Sequence, residues 1–201
     1  MKGLINLYGG SEEFANALDT LFSMPMGMSG HDVPIDITGL IGQYAHGNEP
    51  SHHVAYLYNY AGQPHKAQQR LHEIMSTLYT DQPDGLCGNE DCGQMSAWYV
   101  FSAMGFYPVN PAEGIYILGK PMLENAEITI GNKLFKVKTV GWSDENIYVQ
   151  SVKLNGKVYN KLFITHADMV DGGILEFTMS SVPGNFKNAV LPPSMSETLN
   201  E

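Results

Sequence analysis

The chain of 201 residues carries 11 basic and 21 acidic side chains, which gives a formal net charge of −10. Its acidic excess and its single arginine, Arg70, leave no cluster of basic residues to bind a phosphate backbone, which excludes a nucleic-acid partner. No apolar run is long enough to cross a bilayer, so the sequence predicts no membrane-spanning segment. A chain of this length, with 43% hydrophobic residues, is large enough to bury its own core.

The first predicted element is an amphipathic helix over residues 11–23. Ser11 is its expected N-cap, Glu12 and Glu13 stand in the first turn, and apolar residues recur every three to four positions. That apolar face consists of Phe14, Leu18, Leu21 and Phe22. The spacing predicts that the helix buries this face.

Three further helical segments follow, each bounded by proline or glycine. Pro50 begins a segment that ends at Gly62, where a left-handed residue fits the end of a helix. Pro64 begins another segment, and a last one runs over residues 93–104 and ends at Gly105. The inward-facing residues of the segment after Pro64 are Ala67, Leu71, Ile74, Met75 and Leu78. The pattern predicts a stack of antiparallel helices.

The hydrophobic period changes to two near Ile115. Residues 127–138 predict one hairpin, residues 147–157 predict a second, and residues 174–179 predict a last strand. Lysines alternate with apolar residues along the first hairpin, which indicates one solvent-facing side.

These patterns predict an α+β fold class in three parts. Residues 1–110 form the helical part, residues 111–182 form an antiparallel β-strand segment, and the polar, proline-containing residues 183–201 form a flexible tail. The helical part carries a net charge of −8 and the remainder −2, so the acidic excess lies mainly among the helices. Because Met1–Leu7 lacks the layout of a signal peptide and reads like the middle of a domain, we expect a piece of a longer protein.

The two cysteines, Cys87 and Cys92, leave two interpretations. Their spacing matches no zinc ribbon, and two cysteines are too few for a disulfide framework. They are either two thiols that are buried or incidental, or a disulfide that closes a small loop.

Two glycine-containing loops, residues 44–53 and 84–94, concentrate polar side chains directly before a helix. Carboxylate, amide and backbone carbonyl oxygens are the ligands that Ca²⁺ prefers. The simpler alternative is that Glu49 and Asp91 cap their helices against the helix dipole. A third alternative is a zinc site, although the histidine spacing in the first loop matches no HExxH-type pattern. The histidines concerned are His46, His52 and His53.

The sequence has no other strong catalytic layout. It has no phosphate-binding glycine loop, no Gly-x-Ser-x-Gly elbow and no evident histidine partner for either cysteine. Acid–base chemistry on carboxylates remains. Aromatic residues near the loops would either stack on sugar rings or form core, which is their commoner use at helical spacing. They are Tyr56, Tyr58, Tyr60, Trp98, Tyr99, Phe101, Phe106 and Tyr107.

Several stretches of the sequence carry a resemblance to a known family. They are Gly47-Asn48-Glu49-Pro50-Ser51-His52-His53, Tyr56-Leu57-Tyr58-Asn59, residues 88–100 (GNEDCGQMSAWYV) and residues 105–109 (GFYPV). From Gly3 to about Pro183 the chain resembles the C-terminal catalytic part of glycoside hydrolase family 92. That family comprises calcium-dependent, inverting exo-α-mannosidases, many of which act on α-1,2-linked mannose.

The resemblance implies roles for individual residues. Asp91 matches the general base, while Asn48 and Glu49 match the calcium-binding loop, with Asp91 as a further ligand. Asn89 stands where some members carry a second aspartate, so Asp91 acts alone as the base. The residues implied to bind substrate are His46, Glu90, Gln94 and Trp98. In an inverting glycosidase the acid and base carboxyl groups stand roughly 6.5–9.5 Å apart, with the water beside the base.

The resemblance also implies a partner. The general acid of the family is a glutamate in a Glu-Gly-Asn-Ala-Trp-like segment before the equivalent of Gly3, and this sequence contains no such segment. We therefore expect negligible mannosidase activity from the chain alone, with the N-terminal part of the same enzyme as its partner and a mannose-containing glycan as substrate. By the same resemblance, the full-length protein is periplasmic or secreted.

The family fold implies further expectations. Family members combine an (α/α)6 barrel with a β-sandwich, so the helices of this chain would be part of such a barrel. Helices taken from a barrel expose apolar faces, which favours self-association.

Two alternatives from other functional classes remain at this point. One is a non-catalytic carbohydrate-binding module that binds sugar through His46, Glu49 and Trp98 without cleaving it. The other is a structural helical domain in which Asn48-Glu49 and Glu90-Asp91 are only caps.

Overall fold

A computed structural model describes residues 1–27, 34 and 37–194. The helices in these residues are α1 Lys2–Leu7, α2 Ser11–Ser23, α3 Leu57–Tyr60, α4 Pro64–Thr77, α5 Gln94–Ala103 and α6 His166–Val170. The strands are β1 Leu40–Ile41, β2 Tyr44–Ala45, β3 Phe106–Asn110, β4 Ile115–Leu118, β5 Asn125–Ile130, β6 Lys133–Val140, β7 Tyr148–Leu154, β8 Lys157–Val158, β9 Phe163–Thr165 and β10 Gly173–Ser180. Short 3-10 turns cover Glu49–Ser51, Val54–Tyr56, Asp91–Gly93 and Pro111–Glu113.

The two longest helices lie where the periodicity predicts them. Helix α2 buries Phe14, Leu18 and Phe22, as expected, but its N-cap is Gly10, so Ser11 is already helical. Helix α4 begins at Pro64, whose missing N–H costs nothing in the first turn. Four predicted core residues of α4 are buried, namely Ala67, Leu71, Ile74 and Met75, whereas Leu78 is its C-cap.

The segment predicted as one helix after Pro50 is instead broken into shorter turns. It consists of two 3-10 turns followed by the four-residue helix α3. Its backbone closes tight turns, because the amide of His52 donates to the Glu49 carbonyl and the amide of Tyr56 donates to the His53 carbonyl. All four residues of α3 are buried, so packing on every side decides its path rather than one apolar face. Gly62 ends it with φ +74°, as predicted.

The larger sheet has the strand order β5-β6-β10-β7-β8. Both predicted hairpins are present, as the antiparallel pairs β5–β6 and β7–β8. The expectation of a purely antiparallel segment is wrong, because β10 runs parallel to β6 and antiparallel to β7. The physical reason is that β10 does not return through a hairpin. The chain passes through β9 and α6 first, and β10 then enters the gap between β6 and β7.

A small sheet, β3-β4-β9, lies between two hydrophobic cores. Ile117 and Phe163 belong to the core of the helices, whereas the next residue on each strand, Leu118 or Ile164, belongs to the core of the larger sheet. This is the period-two alternation of strands that are covered on both faces. The small sheet therefore joins the helical and strand-rich parts of the chain.

The described part of the C-terminal segment contacts the rest of the chain. The carbonyl of Val190 accepts a hydrogen bond from the Leu162 amide, and the Val190 amide donates to Asn160, each at 2.9 Å. Ser194 is buried, and its Oγ accepts from the Met1 and Lys2 nitrogens. The remainder of the predicted flexible tail, residues 195–201, lies outside the described residues. Among the residues described, no helix combines the length and apolar character that crossing a bilayer requires.

Candidate active site

The two polar loops of the sequence meet at a pair of glycines. A side chain on Gly88 would overlap the carbonyl oxygen of Gly47, and one on Gly47 would come within 2.9 Å of the Cys87 carbonyl oxygen. Only glycine therefore allows the two backbones to approach so closely. This contact brings the neighbourhood of Asn48 and Glu49 beside that of Glu90.

Glu49 has a buried carboxylate oxygen with no partner. Its Oε1 is shielded from solvent and accepts no hydrogen bond in the described structure. The 3-10 turn that Glu49 begins has no side-chain cap, and the backbone carbonyl of its N-cap, Asn48, accepts from the Ser51 amide at 3.0 Å. An unpartnered buried carboxylate is costly, so a missing cation or donor is its simplest explanation.

The second loop presents Asp91 on a strained turn. Cys92 has φ +53° and Gly93 has φ +78°, so two consecutive residues are left-handed directly before α5. Glu90, not Asp91, caps the helix, because both of its carboxylate oxygens lie 3.2 Å from the Ser96 amide, which donates to them. Asp91 begins the 3-10 turn and is exposed to solvent.

His52 and Gln94 form a hydrogen-bonded pair behind Glu49. His52 Nε2 donates to the His46 carbonyl at 3.0 Å, so its Nδ1 accepts from the Gln94 amide nitrogen at 3.1 Å. The same Gln94 nitrogen donates to Tyr107 Oη at 2.9 Å. Both amide hydrogens of Gln94 are thereby used. Burial is the main cause that lowers the pKa of His52, although the nearby Glu49 and Glu90 oppose it.

His46 is fully buried between two tyrosine hydroxyls. Tyr79 donates to the Met95 carbonyl at 3.3 Å, so it accepts from His46 Nε2 at 2.6 Å, and Tyr44 donates to His46 Nδ1 at 2.7 Å. Burial, with a smaller contribution from His52, lowers the pKa of His46 to about 3. His46 is therefore neutral near pH 7.

Trp98 closes this cluster from behind. It is fully buried, its Nε1 donates to the His52 carbonyl at 2.9 Å, and its ring stacks on Tyr79 with centroids 5.9 Å apart. The substrate-binding roles of His46 and Trp98 stay predictions. Their burial makes them supports for His52 and Tyr79 in this structure rather than surfaces that a sugar can touch.

A cleft of about 390 Å³ opens beside these loops. Its main lining residues are Glu49, His52, His53, Gln94, Phe101 and Tyr107. We call it the Glu49 cleft. Among the described residues that line it, Glu49 and Gln94 are the two predicted site residues. Asn48, Glu90 and Asp91 belong to the adjoining loops.

The donor set fits a hard cation at Glu49. A carboxylate oxygen without a protein partner is a ligand that calcium prefers. Across residues 1–27, 34 and 37–194, no three His, Cys, Asp or Glu side chains come close enough to share an ion. Further ligands would therefore be amide or carbonyl oxygens, water or sugar hydroxyls. The zinc alternative gains no support, since two of its three histidines, His46 and His52, already use both ring nitrogens in hydrogen bonds.

The cysteines are free thiols in this structure. Cys87 is half-buried and packs against Gly39, and Cys92 is exposed. Burial raises the pKa of the Cys87 thiol, so it stays protonated and packs as a small apolar residue.

The sequence assigned no individual role to two residues of this site. Tyr107 lines the Glu49 cleft and, since it accepts from Gln94, has its own hydroxyl hydrogen to donate. Tyr79 fixes the tautomer of His46 through the Met95 carbonyl. Tyr107 is noticed in sequence only as one of many aromatic residues, and Tyr79 carries no local signal, because its role depends on contacts with distant residues.

Comparison with known proteins gives one consistent family. A sequence model described as the glycosyl hydrolase family 92 catalytic domain matches residues 1–181. A protein of the fungus Arthroderma benhamiae, named as an uncharacterized secreted glycosidase, is 35% identical over 202 residues, which cover 97% of this chain and 24% of that protein.

Similar solved structures belong to the same family. A family GH92 α-mannosidase from Bacteroides thetaiotaomicron, in complex with mannoimidazole, is 46% identical with a TM-score of 0.85, over 92% of this chain and 25% of its own. A GH92 inverting mannosidase from the same organism is 36% identical with a TM-score of 0.79, over 96% and 27%. The chain thus spans about a quarter of the length of these relatives.

Proposed function

The chain belongs to glycoside hydrolase family 92, and from that membership we propose that it forms the base-bearing, calcium-binding part of an inverting exo-α-mannosidase. Its substrate would be a glycan with terminal α-mannose, in α-1,2 linkage by the family resemblance. The observation that carries the proposal is the Glu49 carboxylate, whose Oε1 is buried without a hydrogen-bond partner, on a loop that meets the loop of the exposed Asp91 at Gly47 and Gly88.

In the proposed mechanism, Asp91 is the general base. Its carboxylate takes a proton from the water that attacks the anomeric carbon, on the ring face opposite the leaving oxygen. Exposure at the turn gives Asp91 access to that water, and its place between Glu90 and two left-handed residues limits how it can turn. Asn89 stands two residues earlier, and Asp91 therefore carries the base role alone.

Glu49 and Asn48, with Asp91, are the proposed calcium ligands. Calcium, when bound, would hold the 2- and 3-hydroxyls of the terminal mannose and help flatten its ring. Gln94, together with Tyr107, whose hydroxyl is free to donate, would bind the sugar from the wall of the Glu49 cleft. The substrate-binding roles that the resemblance implies for Glu90, His46 and Trp98 stay predictions, and the burial of His46 and Trp98 favours supporting roles for those two.

Calcium titration tests this proposal directly. Isothermal titration of the chain with Ca²⁺ is expected to give one binding event, and Ca²⁺ is expected to raise the melting temperature in a way that EDTA reverses. Glu49→Gln should abolish both effects, since it removes the charged ligand and keeps the shape. Glu73→Gln is the matched control, because Glu73 pairs with Arg70 on α4 and lies outside the Glu49 cleft. Calcium binding that persists unchanged in Glu49→Gln would contradict the proposal that Glu49 is a calcium ligand.

Hydrolysis tests the catalytic half. The chain alone should release negligible mannose from α-1,2-mannobiose, since removal of a general acid typically costs about 10²–10⁴ in rate. In the full-length enzyme, Asp91→Asn should abolish hydrolysis. Calcium-dependent release of mannose by the purified chain would contradict the proposed division of the site.

A carbohydrate-binding module is the second candidate function. It is favoured by the cleft itself, where the aromatic rings of Phe101 and Tyr107 stand beside polar groups, as in many sugar-binding sites. Mannose binding that survives Asp91→Asn, with no hydrolysis even by the full-length enzyme, would favour it. The structural-domain alternative keeps one supporting observation, since the Glu90 carboxylate accepts from the Ser96 amide at the start of α5, but it does not explain the buried, unpartnered Oε1 of Glu49.

The wider setting of the chain belongs to the same proposal. Helices α1 to α5 would be part of an (α/α)6 barrel, completed by the N-terminal part of the same enzyme. We propose that the enzyme is secreted or periplasmic, in line with the name of its fungal relative. Exposed apolar residues such as Leu7 and Val100 would favour self-association of the isolated chain, which size-exclusion chromatography with light scattering measures.

A further inference from the structure

The turn that carries Asp91 is held by its neighbour Glu90 through both main chain and side chain. The Glu90 carbonyl accepts from the Gly93 amide at 3.2 Å, and its carboxylate accepts from the Ser96 amide at 3.2 Å through each oxygen. Glu90 thereby ties the residue before Asp91 to the first turn of α5. A carboxylate at this place is also favoured by the positive end of the helix dipole.

The turn needs such a restraint because its backbone is strained. Cys92, with φ +53° and ψ +25°, is one of two non-glycine residues with a positive φ in the described chain. Side-chain-bearing residues avoid this region, and they persist there only where the surroundings enforce it. Gly93 continues the left-handed path with φ +78° and leads directly into α5. Without the Glu90 contact, Asp91 to Gly93 could relax to a more ordinary path.

A relaxed turn would move the Asp91 carboxylate. Asp91 is the first residue of this turn, so the direction of its side chain depends on the backbone of the turn. The Glu90 carboxylate, by contrast, is directed to the Ser96 amide, from which both of its oxygens accept. We infer that Glu90 is a positioning residue for Asp91, which acts by capping α5 rather than by binding substrate. The inference rests on the proposed role of Asp91 as the general base.

The first test is structural and needs no activity. In the 201-residue chain, Glu90→Ala should shift the Ser96 amide resonance and speed its hydrogen exchange, because the Ser96 amide loses its acceptor. Exchange at the Gly93 amide should also become faster, because the Glu90 carbonyl that accepts from it is no longer held in place by the side chain. Glu90→Gln should largely retain both, because its amide oxygen can still accept. Glu12→Ala is the matched control, since Glu12, like Glu90, is an exposed acid near the start of a helix, in this case α2. Unchanged Ser96 and Gly93 signals in Glu90→Ala would overturn the inference.

The second test is kinetic and uses the full-length enzyme. Glu90→Ala should lower kcat for a terminal α-mannoside by about tenfold to a hundredfold with little change in KM, as expected of a misplaced base. Glu90→Gln should restore most of kcat. A rise in KM in both variants, with no rescue by glutamine, would identify Glu90 as a substrate ligand and overturn the positioning role.

A further variant separates the two proposals. If Asp91→Asn leaves hydrolysis intact, the proposed base role of Asp91 fails, and the positioning role of Glu90 fails with it. If Asp91→Asn abolishes hydrolysis but Glu90→Ala keeps full kcat, only the positioning inference fails. A merely structural role would lower the melting temperature of Glu90→Ala and leave kcat per folded molecule unchanged, which also contradicts the inference.

Discussion

Individual residues of the site are held by hydrogen bonds that assign each proton. Tyr44 donates to His46, His46 donates to Tyr79, and Tyr79 donates to the Met95 carbonyl. Each donor in this series of hydrogen bonds therefore has one acceptor. His52 is oriented in the same way between the His46 carbonyl and Gln94. Such networks are rigid because no member can turn without leaving a buried polar atom unpaired. The wall of the Glu49 cleft is thereby pre-organised before any ligand enters.

The buried His46 predicts acid sensitivity. Its pKa is about 3 when folded, against 6.5 for an unperturbed histidine, so below pH 6.5 the unfolded chain binds a proton that the folded chain refuses. Stability should therefore fall as the pH drops from 6.5 towards 3, by about 1.4 kcal/mol per pH unit from this residue. In urea unfolding at pH 7 and pH 5, His46→Gln should reduce the loss of stability between the two pH values by up to about 2 kcal/mol.

Tyr79→Phe is the control for this measurement. It removes a hydrogen bond from the same network but keeps the titrating imidazole, so it should lower stability at both pH values and leave the difference between them nearly unchanged. An equal pH dependence in the parent chain and in His46→Gln would contradict the assignment of acid sensitivity to His46.

At the level of elements, turns decide how helices and strands follow one another. Gly105, with φ +91°, lies between the end of α5 and the start of β3, and Gly131, with φ +61°, lies in the β5–β6 turn. In the β7–β8 turn, Asn155 and Gly156 are both left-handed, and Asn155 Oδ1 accepts from the Ile174 amide at 2.8 Å. That bond anchors the hairpin turn to β10, so the turn also helps to fix the strand that makes the sheet mixed.

Gly105 and Gly131 form a matched pair for substitution by alanine. Both have a positive φ, so each alanine should cost about 1 kcal/mol of unfolding free energy for the backbone alone. At Gly131 no heavy atom lies within 4 Å of the added Cβ, whereas at Gly105 the Phe177 ring lies at 3.1 Å. Gly105→Ala should therefore cost about 1–3 kcal/mol more than Gly131→Ala in urea unfolding, because it also overpacks the core. Equal losses of unfolding free energy in the two variants would mean that the Phe177 ring moves aside without cost, which would contradict the prediction.

On the scale of the whole molecule, the helical and strand-rich parts share a buried junction. Gln68 on α4 accepts from the Val149 amide on β7 at 3.1 Å, and Gly119 passes so close to Leu71 that a side chain there would meet it at 2.7 Å. Lys120 follows Gly119, with only 2% of its surface exposed, and its Nζ contacts Met122 Sδ at 2.8 Å. A buried amine with so weak a partner is costly to charge.

Lys120 therefore predicts a stability that rises with pH. Burial lowers its pKa from 10.5 to about 8, although Asp144 opposes the shift, so between pH 8 and 10.5 the unfolded chain binds more protons than the folded one. Lys120→Met should stabilise the chain at pH 7 by up to about 3 kcal/mol, and that gain should shrink to about 1 kcal/mol at pH 10. Guanidinium unfolding at the two pH values measures both figures.

Lys133→Met controls for the added methionine, because Lys133 is exposed at the start of β6. A gain from Lys120→Met that is the same at pH 7 and pH 10 would show that packing alone, rather than the buried charge, accounts for it.

Hydrophobic periodicity was enough to predict α2, α4 and the two hairpins, because each buries one face against a single neighbouring surface. The sequence also located the loops that carry Glu49 and Asp91, since glycines and polar oxygens cluster there whatever the fold. It could not predict the broken path around α3, which is buried on every side, or the insertion of β10 beside β6, which depends on pairing between distant strands.

Nor could it determine that Glu90 rather than Asp91 caps α5, or that His46 and Trp98 lie behind the cleft. Those outcomes depend on which residues the tertiary structure brings within hydrogen-bonding distance, and local spacing does not contain that information.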